Sequence, residues 1–183
     1  MFTLITGGAR SGKSALAERL AGSHGARVLY IATSLATDDE MAARIAHHRA
    51  ARPASWRTYE GFTQLDRVIA REAPQCDAIM LECVTTLITN LLFAEAGTSA
   101  PEAMDFTALE ASIQRQLTAL AEACRHSACP VYVVTNEVGM GIVPEHLLAR
   151  RFRGIAGRVN QRLAADARQV YLVVSGIEMK IKG

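Results

Sequence analysis

Eight consecutive residues, Gly7, Gly8, Ala9, Arg10, Ser11, Gly12, Lys13 and Ser14, follow the apolar run 2–6 directly and satisfy the spacing G-x-x-x-x-G-K-[ST]. Glycines at these positions let backbone amides turn inward around a phosphate. The following helix presents its N-terminal dipole to the same anion. Lys13 is expected to reach the β- and γ-phosphates, and Ser14 to place its hydroxyl on a Mg²⁺ ion that bridges phosphate oxygens. The plain alternative is a glycine-rich turn without ligand, which the strand-loop-helix context disfavours. Such a loop identifies a nucleotide site and leaves the reaction open, since kinases, motors and switches all use it.

Other polar residues end the apolar runs that must lie beside this loop. Glu82 closes the run Ala78–Glu82, where a carboxylate meets the metal or its water, or else serves as a strand-end cap or salt-bridge partner. Thr33 and Ser34 end the second run, and Asn136 and Glu137 end the fourth, followed by two glycines in 136–141 that suit a close approach to a bulky ligand or a plain turn. Thr37 and Glu40 form a capping box that opens a helix, and Pro53 ends it. That helix carries His47 and His48. At 100° per residue, Met41, Ile45 and His48 fall within about 60° of one another, whereas His47 shares a face with Glu40 and Arg44. His48 is thus the packing residue of the pair and His47 the reactive one, although helical spacing alone leaves both open to a structural role.

The elements that must position these groups are five strand-length apolar runs, 2–6, 28–33, 78–82, 131–136 and 170–175. They are near-continuous instead of alternating, which means strands covered on both faces. Stretches with helical period lie between them: Leu16 with Leu20, Leu87 and Ile88 with Leu91 and Leu92, and a long helix over 106–125 carrying Leu109, Ile113, Leu117 and Leu120. A last helix is expected over 153–167, with Gly154 and Gly157 weakening its first turns; residues 96–105 read as a loop. Strands alternating with helices give an α/β fold, a mostly parallel sheet sandwiched by helices, with ligands at the carboxyl ends of the strands.

At 183 residues the chain reads as one nucleotide-binding catalytic domain spanning 1–183. Twenty basic against eighteen acidic residues, without a long run of either sign and with only 5% aromatics, argue against a nucleic-acid partner. No apolar stretch approaches the roughly twenty residues of a membrane helix, and the N-terminus lacks a signal-peptide pattern. Cys76, Cys83, Cys124 and Cys129 have no zinc-ligand spacing and read as buried thiols of a cytoplasmic protein. Trp56, the single tryptophan, reads as a core residue.

Several long motifs in order add a resemblance. TGGARSGKS, LYIATS, DDEMAARIAHHRAARPASWRTYE, LECVTTLITNLLF and TNEVGMGIVPE, continuing through FRGIAGRVNQRLAADA and VYLVVSGI, are similar over nearly the whole chain to the bifunctional adenosylcobinamide kinase and adenosylcobinamide-phosphate guanylyltransferase of cobalamin synthesis. The resemblance implies a RecA-like phosphate-loop fold and a homotrimer. It implies phosphorylation of adenosylcobinamide on its aminopropanol hydroxyl, with ATP or GTP as donor. A guanylyl transfer follows, in which His47 attacks the α-phosphorus of GTP and passes GMP to adenosylcobinamide phosphate. Neutral imidazole is a competent nucleophile near pH 7, so the chemistry is coherent. By the same match Thr33, Ser34, His48, Arg49, Glu60 and Glu82 are expected GTP contacts; for Arg49, pairing with a helix C-terminal dipole is the alternative. Two readings compete: a simple small-molecule kinase without a covalent intermediate, and a nucleotide-dependent switch or motor.

Overall fold

The computed structural model describes residues 1–35, 49 and 52–183. The expected helix with its capping box, including His47 and His48, lies outside the described residues. Strands are β1 (Phe2–Gly7), β2 (Val28–Ala32), β3 (Arg57–Glu60), β4 (Ala78–Glu82), β5 (Val131–Asn136), β6 (Gln169–Val174) and β7 (Ile177–Lys182). Helices are α1 (Lys13–Gly22), α2 (Leu65–Glu72), α3 (Val84–Ala96), α4 (Phe106–His126) and α5 (Leu147–Asp166).

All seven strands join one sheet in the order β3-β2-β4-β5-β1-β6-β7. Every pairing is parallel except β6 with β7. This is the mostly parallel, helix-covered sheet of an α/β phosphate-loop fold. β5 stands between β1, which leads into the phosphate loop, and β4, which ends in Glu82.

Alternation along each strand divides the core into two layers. Phe2, Leu4, Leu29, Ile31, Ile79 and Leu81 face the layer filled by α2, α3, α4 and α5. Ile5, Tyr30, Ala78, Met80 and Val134 face the other, where Leu16, Ala17 and Ala21 of α1 pack and Trp56 lies partly buried. Because both faces are covered, the central strands are mostly apolar on both sides, which is why they appear as near-continuous apolar runs.

The expected positions of α3 and α4 match the structure. Leu87, Ile88, Leu91 and Leu92 of α3 are buried, as are Leu109, Ile113, Leu117 and Leu120 of α4. The carboxylate of Asp105 accepts the amides of Thr107 and Ala108 at 3.1 and 3.0 Å and so caps α4. Within the 96–105 loop a single 3-10 turn forms at Pro101–Ala103. α5 begins six residues before the expected 153, because Leu148 and Phe152 pack on the core into which Ile155, Ala156, Val159 and Leu163 are buried. That packing outweighs two glycines at about 1 kcal/mol each. The four cysteines are buried free thiols, and complete burial pushes the Cys124 thiol up to about 12.

Two strands escape the apolar-run criterion, both at the sheet's edges. β3 is largely exposed, and β7, wholly exposed, alternates Ile177, Met179 and Ile181 with charged residues. Edge strands meet solvent, so neither needs a continuous apolar run.

Candidate active site

The phosphate loop is a chain of constrained positions. Gly7 is required by space, because a Cβ there would lie 2.5 Å from both the Ser11 hydroxyl oxygen and the Val173 carbonyl oxygen. Gly12 is required by conformation, since its φ of 96° lies in the left-handed region. α1 then starts at Lys13 without a side-chain cap, so its first amides are left to the loop's concavity. Two neighbouring segments brace the loop from outside. The Glu137 amide donates to the Gly7 carbonyl at 3.0 Å, and the Gly176 amide, in the turn between β6 and β7, donates to the Ser11 carbonyl at 2.8 Å.

Lys13 is buried, with 7% of its surface exposed, and its ammonium donates across the loop to the Gly8 carbonyl at 2.9 Å. The Ser11 hydroxyl is also buried and has no protein partner. A buried hydroxyl in that state is a donor for a ligand oxygen. Arg10 stands exposed at the loop's tip with φ 56°, and Gly8 and Ala9 are exposed beside it.

At the carboxyl end of β4 the Glu82 carboxylate is held at both oxygens. Oε1 accepts the Ser14 hydroxyl, and Oε2 accepts the Tyr30 hydroxyl at 2.7 Å. Burial, and then the Glu82 charge, push the Tyr30 phenol well above its ordinary range, so it stays protonated and donates to the carboxylate. Glu18 of α1 is half-buried nearby, and its carboxyl is raised by burial first and by Glu82 second, with Arg52 opposing. A serine hydroxyl beside a carboxylate is a pair of hard oxygen donors and fits Mg²⁺. Among the described residues no group of three or more His, Cys, Asp or Glu forms a self-contained metal cage.

Thr33 is wholly buried. Its hydroxyl accepts the Cys83 amide at 2.9 Å and lies 2.6 Å from the Thr86 hydroxyl, while its carbonyl accepts the Asn90 amide at 2.6 Å. The residue therefore ties the end of β2 to the start of α3 and fixes the backbone around Glu82, whose carbonyl accepts the Thr33 amide at 3.0 Å. Ser34 is half-buried at the rim. Arg49 forms an ion pair with Glu60 at the end of β3, both side chains being exposed.

Beyond β5, the Glu137 carboxylate accepts the amides of Gly139 and Met140 at 2.6 and 3.1 Å, and Arg153 donates to the Gly139 carbonyl. This turn leaves Met140, Ile142 and Val143 exposed on the way to α5.

The structure thus gathers residues 7–14 with Glu82 and sets Thr33 beneath them, while Arg49 and Glu60 pair at the end of β3. The roles of Tyr30, Glu18 and Arg52 around Glu82 are absent from the sequence reading. The one signal for them is Tyr30 itself, a polar tip inside the otherwise aliphatic run VLYIA.

Residues 3–181 match the family described as cobinamide kinase / cobinamide phosphate guanyltransferase. The chain is 58% identical over 182 residues to the bifunctional adenosylcobalamin biosynthesis protein CobU of Salmonella typhimurium, covering 100% of both chains. It is 56% identical to the protein of that name from Escherichia coli, again over 100% of both. It is 40% identical to the bifunctional adenosylcobalamin biosynthesis protein CobP of Pseudomonas aeruginosa, covering 100% of this chain and 98% of that one. A crystal structure of the RadB recombinase aligns with TM-score 0.49 and 20% identity over 93% of this chain and 73% of that one. With the phosphate loop in place and the match running nearly end to end, the chain belongs to the cobinamide kinase / cobinamide phosphate guanyltransferase family and is a bifunctional enzyme of that class.

Proposed function

We propose that the enzyme first transfers the γ-phosphoryl of ATP or GTP to the aminopropanol hydroxyl of adenosylcobinamide, and then transfers GMP from GTP to the resulting phosphate through a covalent GMP-histidine at His47. The observation that carries the nucleotide half of this reading is the convergence of Lys13, Ser14 and Glu82 at the carboxyl end of the parallel sheet. The corrinoid half rests on the family match.

In the first step the substrate hydroxyl oxygen bonds to the γ-phosphorus, the bond from that phosphorus to the β,γ-bridging oxygen breaks, and the hydroxyl proton passes to solvent. The protein's part is placement: Lys13 and the loop amides hold the phosphates, and Ser14 and Glu82 hold Mg²⁺. When bound, that ion neutralises charge on the phosphate oxygens.

In the second step an imidazole nitrogen of His47 bonds to the α-phosphorus of GTP and pyrophosphate leaves with the bridging oxygen. An oxygen of adenosylcobinamide phosphate then attacks the same phosphorus, the P–N bond breaks, imidazole is regenerated and adenosylcobinamide-GDP is released. Splitting one displacement into two is the gain of the covalent route. Thr33, Ser34, His48, Arg49 and Glu60 complete the GTP site in this reading, Thr33 by fixing the backbone and Arg49 with Glu60 at the rim. The 136–141 turn borders the corrinoid. The exposed Met140, Ile142 and Val143 support a homotrimer, since apolar side chains in a short exposed turn gain from being covered by another copy. No described helix is long and apolar enough to cross a membrane, which is compatible with a cytoplasmic enzyme.

The test is incubation with Mg²⁺ and GTP labelled on the α-phosphate, followed by denaturing electrophoresis and acid treatment, with His47→Ala alongside. Acid-labile label on the unaltered enzyme and none on the variant is the expected result. Absence of label from an enzyme that binds nucleotide would overturn the covalent route and leave direct transfer of GMP from GTP to the phosphate.

A further inference from the structure

Tyr30 has two contacts that point in different functional directions. Its hydroxyl donates to Glu82 Oε2 at 2.7 Å, and the other oxygen of that carboxylate accepts the hydroxyl of Ser14 in the phosphate loop. On its ring face lies the Arg52 guanidinium, 3.3 Å from the ring centroid. Arg52 is anchored further by donating from Nη1 to the Thr58 hydroxyl of β3 at 3.2 Å, and its Nε is buried with no partner atom. Its amide donates to the Arg49 carbonyl at 3.4 Å, and Arg49 in turn pairs with Glu60. In the chain, Arg49 follows His47 and His48 directly.

We infer that Tyr30 and Arg52 are positioning residues for this chemistry: Tyr30 orients Glu82 toward the metal-and-phosphate site, and its ring seats Arg52, which stands five residues after His47 in the chain. The inference deepens the guanylyl-transfer reading and rests on it for the histidine half only. Two features of the site support it. Glu82 has one oxygen facing the loop and one facing Tyr30, so when Ser14 turns to a cation the Tyr30 bond still holds the carboxylate in place. Arg52 also opposes the upward shift that burial and Glu82 impose on the half-buried Glu18 carboxyl. A stacked guanidinium is a rigid planar contact that lysine does not reproduce.

The experiment uses Tyr30→Phe, which keeps the ring and removes the hydroxyl, Arg52→Lys, which keeps the charge and removes the plane, and the double variant. Two readouts are taken: Mn²⁺ affinity in the presence of a non-hydrolysable GTP analogue, by electron paramagnetic resonance, and the rate of covalent labelling from α-labelled GTP. Circular dichroism verifies that each variant is folded. Loss of an outer partner to a metal-binding group costs 10- to 100-fold, so Tyr30→Phe is expected to weaken Mn²⁺ binding about tenfold. Arg52→Lys is expected to slow labelling about tenfold with a much smaller effect on Mn²⁺ binding. In the double variant the two losses combine, because Tyr30→Phe removes the bond to Glu82 and Arg52→Lys removes the stack on the ring. Unchanged Mn²⁺ affinity in folded Tyr30→Phe overturns the orienting role of Tyr30, and unchanged labelling in folded Arg52→Lys overturns the role of Arg52. Should the unaltered enzyme itself take no label, the covalent route of guanylyl transfer fails while the Mn²⁺ measurement still decides the role of Tyr30.

Discussion

His47→Ala is expected to abolish acid-labile labelling by GTP while the kinase reaction, followed by product formation from adenosylcobinamide, keeps most of its rate. Equal loss of both reactions in a folded variant would mean that the histidine serves the whole site. Lys13→Ala removes the ammonium that reaches across the loop and is expected to lower both reactions by at least about a hundredfold, because each needs the triphosphate held in line. At this scale the loop was readable from residue types alone, since spacing and glycine content carry its geometry. Tyr30 and Arg52 were not, because their importance lies in a stack and a hydrogen bond between residues 22 and 52 positions distant in the chain from their partners. Thr33 illustrates the same limit: its place at a strand end suggested a ligand contact, while its partners are Cys83, Thr86 and Asn90 inside the protein.

Among the elements, the junction of β1, loop and α1 depends on Gly12. Gly12→Ala places a Cβ at φ 96° and 3.2 Å from the Gly176 Cα. The left-handed penalty of about 1–2 kcal/mol predicts roughly tenfold weaker nucleotide binding, measurable by calorimetry. The contact of α4 with α5 is held in part by Arg158, which donates to both Glu110 oxygens and lowers that carboxyl below its ordinary value. A lowered carboxylate contributes stability above its unfolded pKa and loses it as pH falls through the folded one. Glu110→Gln is therefore expected to lower the melting temperature by roughly 1–3 °C at pH 7, with the gap closing by about pH 3. Persistence of the gap in acid would assign it to packing. The five apolar runs give five of the seven strands, and the heptad-like Leu and Ile positions give α3 and α4. β3 stayed hidden since RTYE has almost no apolar content to bury, and the early start of α5 stayed hidden because its stripe is defined by what α4 and the sheet offer it.

For the molecule as a whole, nucleotide binding and folding are linked. GTP with Mg²⁺ at about a hundred times its dissociation constant should stabilise the native state by about 2.7 kcal/mol, raising the melting temperature by roughly 5–10 °C in a chain of this size. Lys13→Ala should lose most of that gain, and an undiminished shift would place the nucleotide elsewhere.

The strand order also has a consequence in time. β1 leaves the ribosome well before its two neighbours, β5 and β6, with which it pairs through Leu4 with Val133 and Val170. Its apolar residues await a β5 partner 129 positions further along the chain, as Leu4 with Val133 shows, and such distant pairings form slowly. The brace on the phosphate loop comes later still, from Gly176. A nascent chain halted before that turn carries the complete loop sequence but lacks one of the two amides that brace it, so nucleotide binding is expected to strengthen once synthesis has passed residue 176.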